Sequence, residues 1–460
     1  MNDDNLGLQI QNLYALSGEV SSRNVQERER TLLNVKLERL QTQMATIRKL
    51  FRGMQLPSEF DKLATLNFTG RFDGYYQDFV AYGALSSALG RAEMDMRLNA
   101  TQGRDAAEYS GQLQLIDFDL GRWVGQADLG KVSLSAEVKD GKGLRKENLD
   151  ALIDANVSSL VFRGYQYRNA IMKGRLQRNR FDGDFSIADA NIDLSFNGLV
   201  DFSDTIPDLV FNARIERLST LPLHLTKQDM DISGGLRFNI RGIDPNRFVG
   251  EVVAENLLIE KSFTENYALR QLRIQARNQD NLRFLTIDSD LGSGSMQGDF
   301  QLTKTVPFLK KSFNEYYPDY GAKFGWDSVQ VTEIPTFFTM DFQLVDAKSW
   351  FNLFDLPIHN VHNASINAHF DNRNGTFASR VQLPSLDWNK STFQNIAFTW
   401  NGTPDSTEFK LQLDSSHLSP TVPLDYLYVN GRIENNRTHF QVQTADLVRV
   451  LDGINIEGEF

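Results

Sequence analysis

Cysteine is absent from the 460-residue chain, which excludes disulfide scaffolds, thiolate metal sites and cysteine nucleophiles. The sequence also lacks any run near the roughly 18 to 20 apolar residues of a membrane-spanning helix, and its first residues lack the basic and apolar regions of a signal peptide. The formal net charge is -11, with acids and bases intermixed along the chain. The composition therefore provides no basic face for nucleic acid and no polybasic patch for a membrane surface.

What the sequence has in abundance is a two-residue alternation of apolar and polar side chains. Leu194 and Phe196 alternate with Asp193, Ser195 and Asn197. This alternation is typical of antiparallel strands with one apolar and one solvated face. Turn signals such as Phe181–Gly183 separate the strands. The pattern predicts an all-β fold, a long, curled, mostly antiparallel repetitive sheet that forms an elongated hydrophobic groove.

Helical segments are few and short. The candidates are Gln43–Phe51, Leu120–Gly125, Phe308–Tyr316, Lys348–Phe354 and Ala445–Leu451. Similar blocks recur about a hundred residues apart, longer than most solenoid repeats. We predict one continuous β-groove over residues 1–460, with weak repeat units at about 1–125, 126–222, 223–355 and 356–460. Because alternation is already present at Leu6 and Leu8 and continues to the last residues, we expect an internal piece of a longer protein.

With so few helices, the apolar face of such a sheet needs another cover. One solution is a series of sandwiches with dry cores, and the other is an open groove filled by apolar ligands. About 15 residues per strand and turn gives roughly 30 strands and a sheet on the order of 140 Å long. An apolar surface of that extent is not stable in water alone. An acyl chain of about 16 carbons gains on the order of 10 kcal/mol there, at about 0.8 kcal/mol per CH2.

The predicted lining of this groove consists of apolar residues at alternating positions of several strands. These residues are Leu194, Phe196, Phe211, Ile215, Leu236, Phe238, Ile240, Leu272, Ile274, Ile366, Phe370, Phe398 and Trp400. The predicted ligands are phospholipid acyl chains. The same alternation is also compatible with a sealed core, and the residues alone do not decide between the two.

Three blocks carry a resemblance to a known family. They are Leu66–Leu98 (LNFTGRFDGYYQDFVAYGALSSALGRAEMDMRL), Tyr109–Leu144 and Gly164–Ser203 (GYQYRNAIMKGRLQRNRFDGDFSIADANIDLSFNGLVDFS). In sequence and order they resemble the TamB proteins of the AsmA-like group, in their Bacteroidota form. Each block alone is an ordinary strand pattern, and the specificity comes from the series of three.

The resemblance implies a periplasmic translocation and assembly module that is anchored in the inner membrane and has no catalytic residues. Its long β-groove would serve lipid transport to the outer membrane or the assembly of outer-membrane proteins. The family's membrane anchor is N-terminal, and its module for a TamA- or BamA-type barrel is C-terminal. This chain contains neither, so no residue here is assigned to anchoring or to barrel binding.

Other candidate chemistry is weak. His359 and His362 have an H-x-x-H spacing, but on one strand they would point to opposite faces. Gly292–Gly298 is not a phosphate-binding loop, because no GK[ST] motif follows, and a turn or bulge is expected. Arg175, with Arg178 and Arg180, is expected on a polar strand face. The acidic residues Asp182, Asp184, Asp189 and Asp193 lack calcium-loop spacing.

We therefore predict a non-enzymatic protein without catalytic residues, metal or cofactor. The alternative is an all-β adhesin or structural repeat protein with dry cores. A β-helical glycan-active enzyme is disfavoured because neither a short coil repeat nor a carboxylate cluster is present.

Overall fold

The computed structural model confirms the all-β fold. Strands make up 73% of the chain and form long, curled, antiparallel β-sheet structure, which is accompanied by a few short helices. The structure describes residues 14–23, 31–50, 58–75, 77–145, 147–261, 265–316, 322, 325, 337–346, 350, 353, 358–359, 361–388, 391–403, 405–419, 422–424, 426–434, 437–445 and 455–459. The chain divides into two compact units: unit 1 is Met1–Thr205 with Phe211–Asp229, and unit 2 is Ile206–Val210 with Met230–Phe460.

The first twelve strands run from Ala15 to Ser219. They are β1 (Ala15–Arg23), β2 (Leu32–Gln43), β3 (Thr65–Tyr75), β4 (Asp78–Ser87), β5 (Gly90–Asn99), β6 (Glu108–Asp119), β7 (Leu129–Lys142), β8 (Asp150–Phe162), β9 (Tyr165–Gln177), β10 (Arg180–Ala188), β11 (Ile192–Asp201) and β12 (Asp208–Ser219). In unit 1, β1 to β11 pair with their sequence neighbours, and every pair is antiparallel.

The remaining strands belong to unit 2. They are β13 (Met230–Arg241), β14 (Val249–Lys261), β15 (Glu265–Gln279), β16 (Leu282–Ser289), β17 (Gly292–Asp299), β18 (Phe337–Asp346), β19 (Ile358–His359), β20 (His362–Asp371), β21 (Thr376–Trp388), β22 (Ser391–Gly402), β23 (Ser406–Leu413), β24 (Ser415–Ser419), β25 (Val422–Leu424), β26 (Tyr426–Glu434), β27 (Arg437–Ala445) and β28 (Asn455–Glu459). The antiparallel order is β13 to β18, then β20 to β23, then β26 to β28. Of the short strands, β19 pairs with β21, β24 pairs with β22, and β25 pairs with β24.

Three α-helices interrupt the strands in the described part of the chain: α1 (Met44–Leu50), α2 (Leu120–Val124) and α3 (Leu302–Tyr316). The prediction was close for α1 and α2, whereas α3 begins six residues before the predicted start. Short 3-10 turns at Ser58–Leu63 and Arg104–Ala106 were not predicted. The predicted helix Lys348–Phe354 lies mostly outside the described residues. The predicted helix Ala445–Leu451 overlaps them only at Ala445, which is the last residue of β27. No helix among the described residues is long and apolar enough to cross a membrane.

The helices seal two local clusters on the apolar face. In unit 1, α1 and α2 take part in a buried cluster of Met44, Leu63, Leu66, Leu89, Phe118 and Val132. The Asp119 side chain caps α2 by accepting a hydrogen bond from the Arg122 backbone N–H at 2.9 Å. In unit 2, α3 covers a second cluster of Ala276, Leu285, Met296, Phe300, Phe308, Phe338 and Phe370. We call these the α2 cluster and the α3 cluster.

The start of α3 depends on a residue 57 positions away. The Asn246 side chain accepts a hydrogen bond from the Thr303 backbone N–H at 3.0 Å. Its amide nitrogen also donates to the Thr303 hydroxyl at 2.9 Å. An unpaired N–H of the first helical turn is thereby satisfied from the loop between β13 and β14. The sequence predicted a start at Phe308, whereas the helix with this distant cap begins at Leu302.

The turn between β20 and β21 is organised by the buried carboxylate of Asp371. It accepts hydrogen bonds from Arg373 Nε at 2.9 Å, Arg373 Nη2 at 2.8 Å and the Arg373 backbone N–H at 3.0 Å. The guanidinium of Arg373 thereby lowers the pKa of Asp371. The same guanidinium lies 4.7 Å from the ring centroid of Phe337.

The depressed pKa of Asp371 predicts a loss of stability in acid. The stabilisation is complete above the unfolded pKa of about 3.9 and is lost as pH falls through the lower folded-state pKa. We expect Asp371→Asn to be less stable than the wild type at pH 7. The two proteins should converge below the folded-state pKa, as measured by urea unfolding at stepwise lower pH. A difference that is constant across this range would contradict the assignment.

Candidate functional site

The principal candidate site is an unbroken row of apolar residues across unit 2. Each residue is the direct cross-strand partner of the next, so all lie on the same face of the sheet. The row is Phe238, Val252, Ile274, Ile287, Gly294, Phe342, Ile366, Val381, Phe398, Leu411, Val429 and Val442. We call it the unit 2 row. It crosses twelve strands, which at about 4.8 Å per strand corresponds to roughly 50 Å.

The unit 2 row is open. Its members are half-buried apart from Ile366, which is 37% exposed. By contrast, the residues of the α3 cluster are at most 5% exposed. A sandwich core would bury the central row most deeply. Here the α3 cluster is buried beside the central row, and the middle of the apolar face keeps contact with solvent.

Unit 1 carries an equivalent row. It consists of Leu37, Gly70, Gly83, Met94, Leu113, Ala136, Ala155, Met172, Phe185 and Phe196. All are half-buried except Ala155, which is 3% exposed. This unit 1 row crosses ten strands without a polar interruption. The Phe68 ring covers its two glycines: a Cβ atom at Gly70 would stand 2.8 Å from that ring, and one at Gly83 would stand 2.9 Å from it.

Aromatic rings lie over glycines on the apolar face. A Cβ atom at Gly294 would stand 2.1 Å from the Phe342 ring, and one at Gly431 would stand 2.1 Å from the Phe409 ring. In both pairs the glycine is the cross-strand partner of the aromatic residue. The ring replaces the missing side chain and covers the exposed backbone. The rings therefore form part of the floor of the open face.

This arrangement predicts that Gly294→Ala will displace the Phe342 ring. We expect a loss of about 1 to 3 kcal/mol in the free energy of unfolding, as is typical of overpacking. Urea denaturation measures it. Gly235→Ala is the matched control, because a Cβ atom there meets its nearest neighbour at an ordinary 3.7 Å. Equal losses in the two variants would show that the ring is not held by the glycine.

The structure distributes the thirteen predicted lining residues over several rows. Phe238, Ile274, Ile366 and Phe398 lie in the unit 2 row. Leu236 and Leu272 occupy the adjacent row on one side, and Ile240 and Trp400 occupy the adjacent row on the other. Of these eight residues, Ile240 is buried at 9% exposure. Phe370 lies one row further out, buried beneath α3 with its ring centroid 5.0 Å from that of Phe308.

The other predicted residues belong to unit 1. Phe196 lies in the unit 1 row, and Leu194 lies in the row beside it, opposite Ile187. The Phe211 ring is 4.8 Å from the Phe196 ring, and Ile215 is 7% exposed. Sequence reasoning did not include the remaining members of either row. The alternation places each of them on an apolar face, but only the pairing register aligns them across strands.

The histidine, glycine-rich and arginine motifs of the sequence lie outside the two rows, apart from Gly294 in the unit 2 row. His359 ends β19 and His362 begins β20. Gly292–Gly298 lies within strand β17, so the expected turn or bulge was wrong: these residues pair in unbroken register with β16 and β18. Arg175 lies on the polar face, with its Nε 2.7 Å from Asp150 Oδ1. Its hydrogen bond lowers the pKa of Asp150.

The acidic residues are spread over turns and the polar face. Asp184 accepts a hydrogen bond from Asn197 at 2.7 Å, and Asp189 accepts one from the Tyr165 hydroxyl. Within the described ranges, no group of three histidine, aspartate or glutamate residues is arranged to hold a metal ion.

One buried cation stands on the apolar face. Arg283 is 6% exposed and donates to the backbone carbonyl oxygens of Phe248 and Pro245, both at 3.1 Å. Burial lowers the pKa of Arg283. Because its hydrogen bonds go to the loop between β13 and β14, Arg283 fastens that loop to β16. Its role is to hold the strand ends beside α3.

Comparisons of the chain with family models, with characterised proteins and with solved structures found no match.

Proposed function

We propose that the chain is a non-enzymatic conduit whose open apolar face carries the acyl chains of phospholipids. The observation that supports this most directly is the unit 2 row, which is apolar over twelve strands and half-buried instead of sealed. An acyl chain lying on it removes apolar surface from water at about 0.8 kcal/mol per CH2. A chain of about 16 carbons is then held by on the order of 10 kcal/mol before the costs of ordering it.

The repetition of the row supports movement as well as binding. Apart from Gly294, which the Phe342 ring covers, neighbouring positions present Val, Ile, Leu or Phe at a constant spacing of about 4.8 Å. A lipid shifted by one strand meets nearly the same surface, so the free energy changes little from step to step. No polar side chain in the row marks a preferred stopping point. This property distinguishes a conduit from a pocket for one ligand.

The cellular setting of the proposal comes from the resemblance to TamB proteins. On that basis the chain belongs to an envelope-assembly factor that is anchored in the inner membrane and crosses the periplasm. Its groove would pass lipids towards the outer membrane, or assist the assembly of outer-membrane proteins with a TamA- or BamA-type barrel.

A structural repeat protein or adhesin with dry cores is the second candidate. The α2 and α3 clusters favour it, because both are sealed locally by helices. The two candidates differ in what covers the unit 2 row in solution. A conduit retains lipid there, whereas a structural array carries none.

Lipid retained by the purified chain tests the proposal. We expect mass spectrometry of the gently purified protein to detect phospholipid. Photo-crosslinkers at Phe238 and Phe398 should capture it, and crosslinkers at Arg237 and Thr399 on the polar face should not. Absence of lipid from all preparations, or capture mainly at Arg237 and Thr399, would contradict the conduit and favour the structural array.

A further inference from the structure

The polar face of unit 2 contains a separate concavity that a lipid conduit does not use. Its volume is about 760 Å³. It lies over strands β13 to β17, with Asp208 and Val210 of β12 at one end. Its side chains come from two adjacent rows of the polar face. One row is Asn239, Glu251, Gln275, Thr286 and Ser295, and the other is Arg241, Val249, Arg277, Phe284 and Gln297.

The charges that line the concavity balance one another. Its two acids and two bases sum to zero. Arg241 Nε lies 3.9 Å from Asp208, and Glu251 accepts a hydrogen bond from Gln275 at 2.7 Å. The Arg277 guanidinium lies 4.8 Å from the Phe284 ring centroid. Because the lining carries no net charge, the electrostatics favour a neutral ligand.

Neutral hydrogen-bonding groups are what remain available. The side chains of Asn239, Thr286, Ser295 and Gln297 are exposed and have no hydrogen-bond partner among the described residues. Together they offer two amides and two hydroxyls, each able both to donate and to accept. Beside them lie the apolar surfaces of Val210, which is 46% exposed, and of Val249.

The sheet itself excludes one class of ligand. Strands β14 to β17 are paired on both sides, so their backbone N–H and C=O groups are committed to neighbouring strands. An extended peptide therefore cannot add to the sheet here through main-chain hydrogen bonds. Recognition must use side chains alone. Five strands span about 19 Å, which suits an elongated ligand with several hydroxyl groups.

We propose that this concavity binds a linear, neutral oligosaccharide. Sugar hydroxyls match the unpartnered amides and hydroxyls, and the apolar faces of sugar rings match Val210 and Val249. The site is on the face opposite to the unit 2 row, so it functions independently of lipid.

Titration calorimetry with neutral tetrasaccharides tests the proposal. The probes are linear tetramers of glucose in β-1,4 and α-1,4 linkage and of N-acetylglucosamine, with an anionic glycan and an extended peptide for comparison. We expect at least one neutral tetramer to bind. The double variant T286V/Q297A should weaken that binding at least about tenfold, since each lost hydrogen bond contributes about 1 kcal/mol. Retained lipid should not change.

Thr399→Val is the matched control, because Thr399 lies further along the same polar row and outside the concavity. It should leave tetramer affinity within about twofold of the wild type. Circular dichroism establishes that both variants fold. The proposal is overturned if no neutral tetramer binds more tightly than about 5 mM. It is equally overturned if T286V/Q297A binds as the wild type does, or if only the anionic glycan or the peptide binds.

Discussion

A carboxylate in place of Phe398 is expected to remove lipid from the middle of the unit 2 row. Phe398 lies between Val381 and Leu411 in the cross-strand register. A charge there must be desolvated whenever an acyl chain lies over it, at a cost of a few kcal/mol or more. A few kcal/mol corresponds to roughly a hundredfold loss of local occupancy. A photo-crosslinker at Leu411 measures it directly, because lipid capture there should fall in Phe398→Asp.

Thr399→Asp is the control for this experiment. Thr399 is adjacent in sequence but lies on the polar face, between Arg380 and Lys410 in the register. A new carboxylate there meets two cations and no lipid, so capture at Leu411 should be unchanged. Phe238→Asp, at the β13 end of the row, should likewise block passage without unfolding the sheet, because Phe238 is half-buried. If Phe398→Asp folds and still captures lipid at Leu411 normally, the path of the acyl chain is misassigned.

The largest effect on stability is expected from Phe308→Ala. The Phe308 side chain is 2% exposed and links α3 to the sheet through the Phe370 ring, 5.0 Å away. Its loss leaves a cavity among Met296, Phe338 and Phe370, and such truncations typically cost about 3 to 5 kcal/mol. We expect urea unfolding of unit 2 at lower denaturant concentration. Faster amide hydrogen exchange is expected in β16, β17 and β18.

Ile243→Ala provides the comparison for this variant. Ile243 is also apolar and in unit 2, but it is 59% exposed in the loop after β13. Its truncation should change the free energy of unfolding by no more than about 0.5 kcal/mol. A similarly small change for Phe308→Ala would mean that α3 does not seal the apolar face.

The short helices show how far local sequence information reaches. Helix α2 was predicted almost to the residue because its signals are local: Asp119 caps its start, and Gly125 ends it with a φ of 76°. The start of helix α3 was predicted six residues too far along the chain, because its first turn is capped by Asn246 from a loop distant in sequence. Propensity and capping rules consider only residues that are close together in the sequence, so they cannot predict a cap from a distant loop.

The candidate sites likewise combine features that the local sequence predicts with features that it does not. Alternation alone placed Phe238, Ile274, Ile366 and Phe398 on an apolar face. It placed Phe370 there equally, although α3 buries Phe370 to 3% exposure while Ile366 is 37% exposed. Nothing in the two-residue period separates an open position from a covered one. The polar concavity was not predicted, because Asn239 and Gln297 line the same concavity only in the folded sheet.

The two-residue period specifies which segments are strands and which side chains share an apolar face, because it is a property of each strand alone. Tertiary structure decided the register that joins twelve strands into the unit 2 row. It also decided where α3 covers that face and where the polar face becomes concave. These features depend on hydrogen bonds and packing between residues far apart in the chain, and no single strand contains that information.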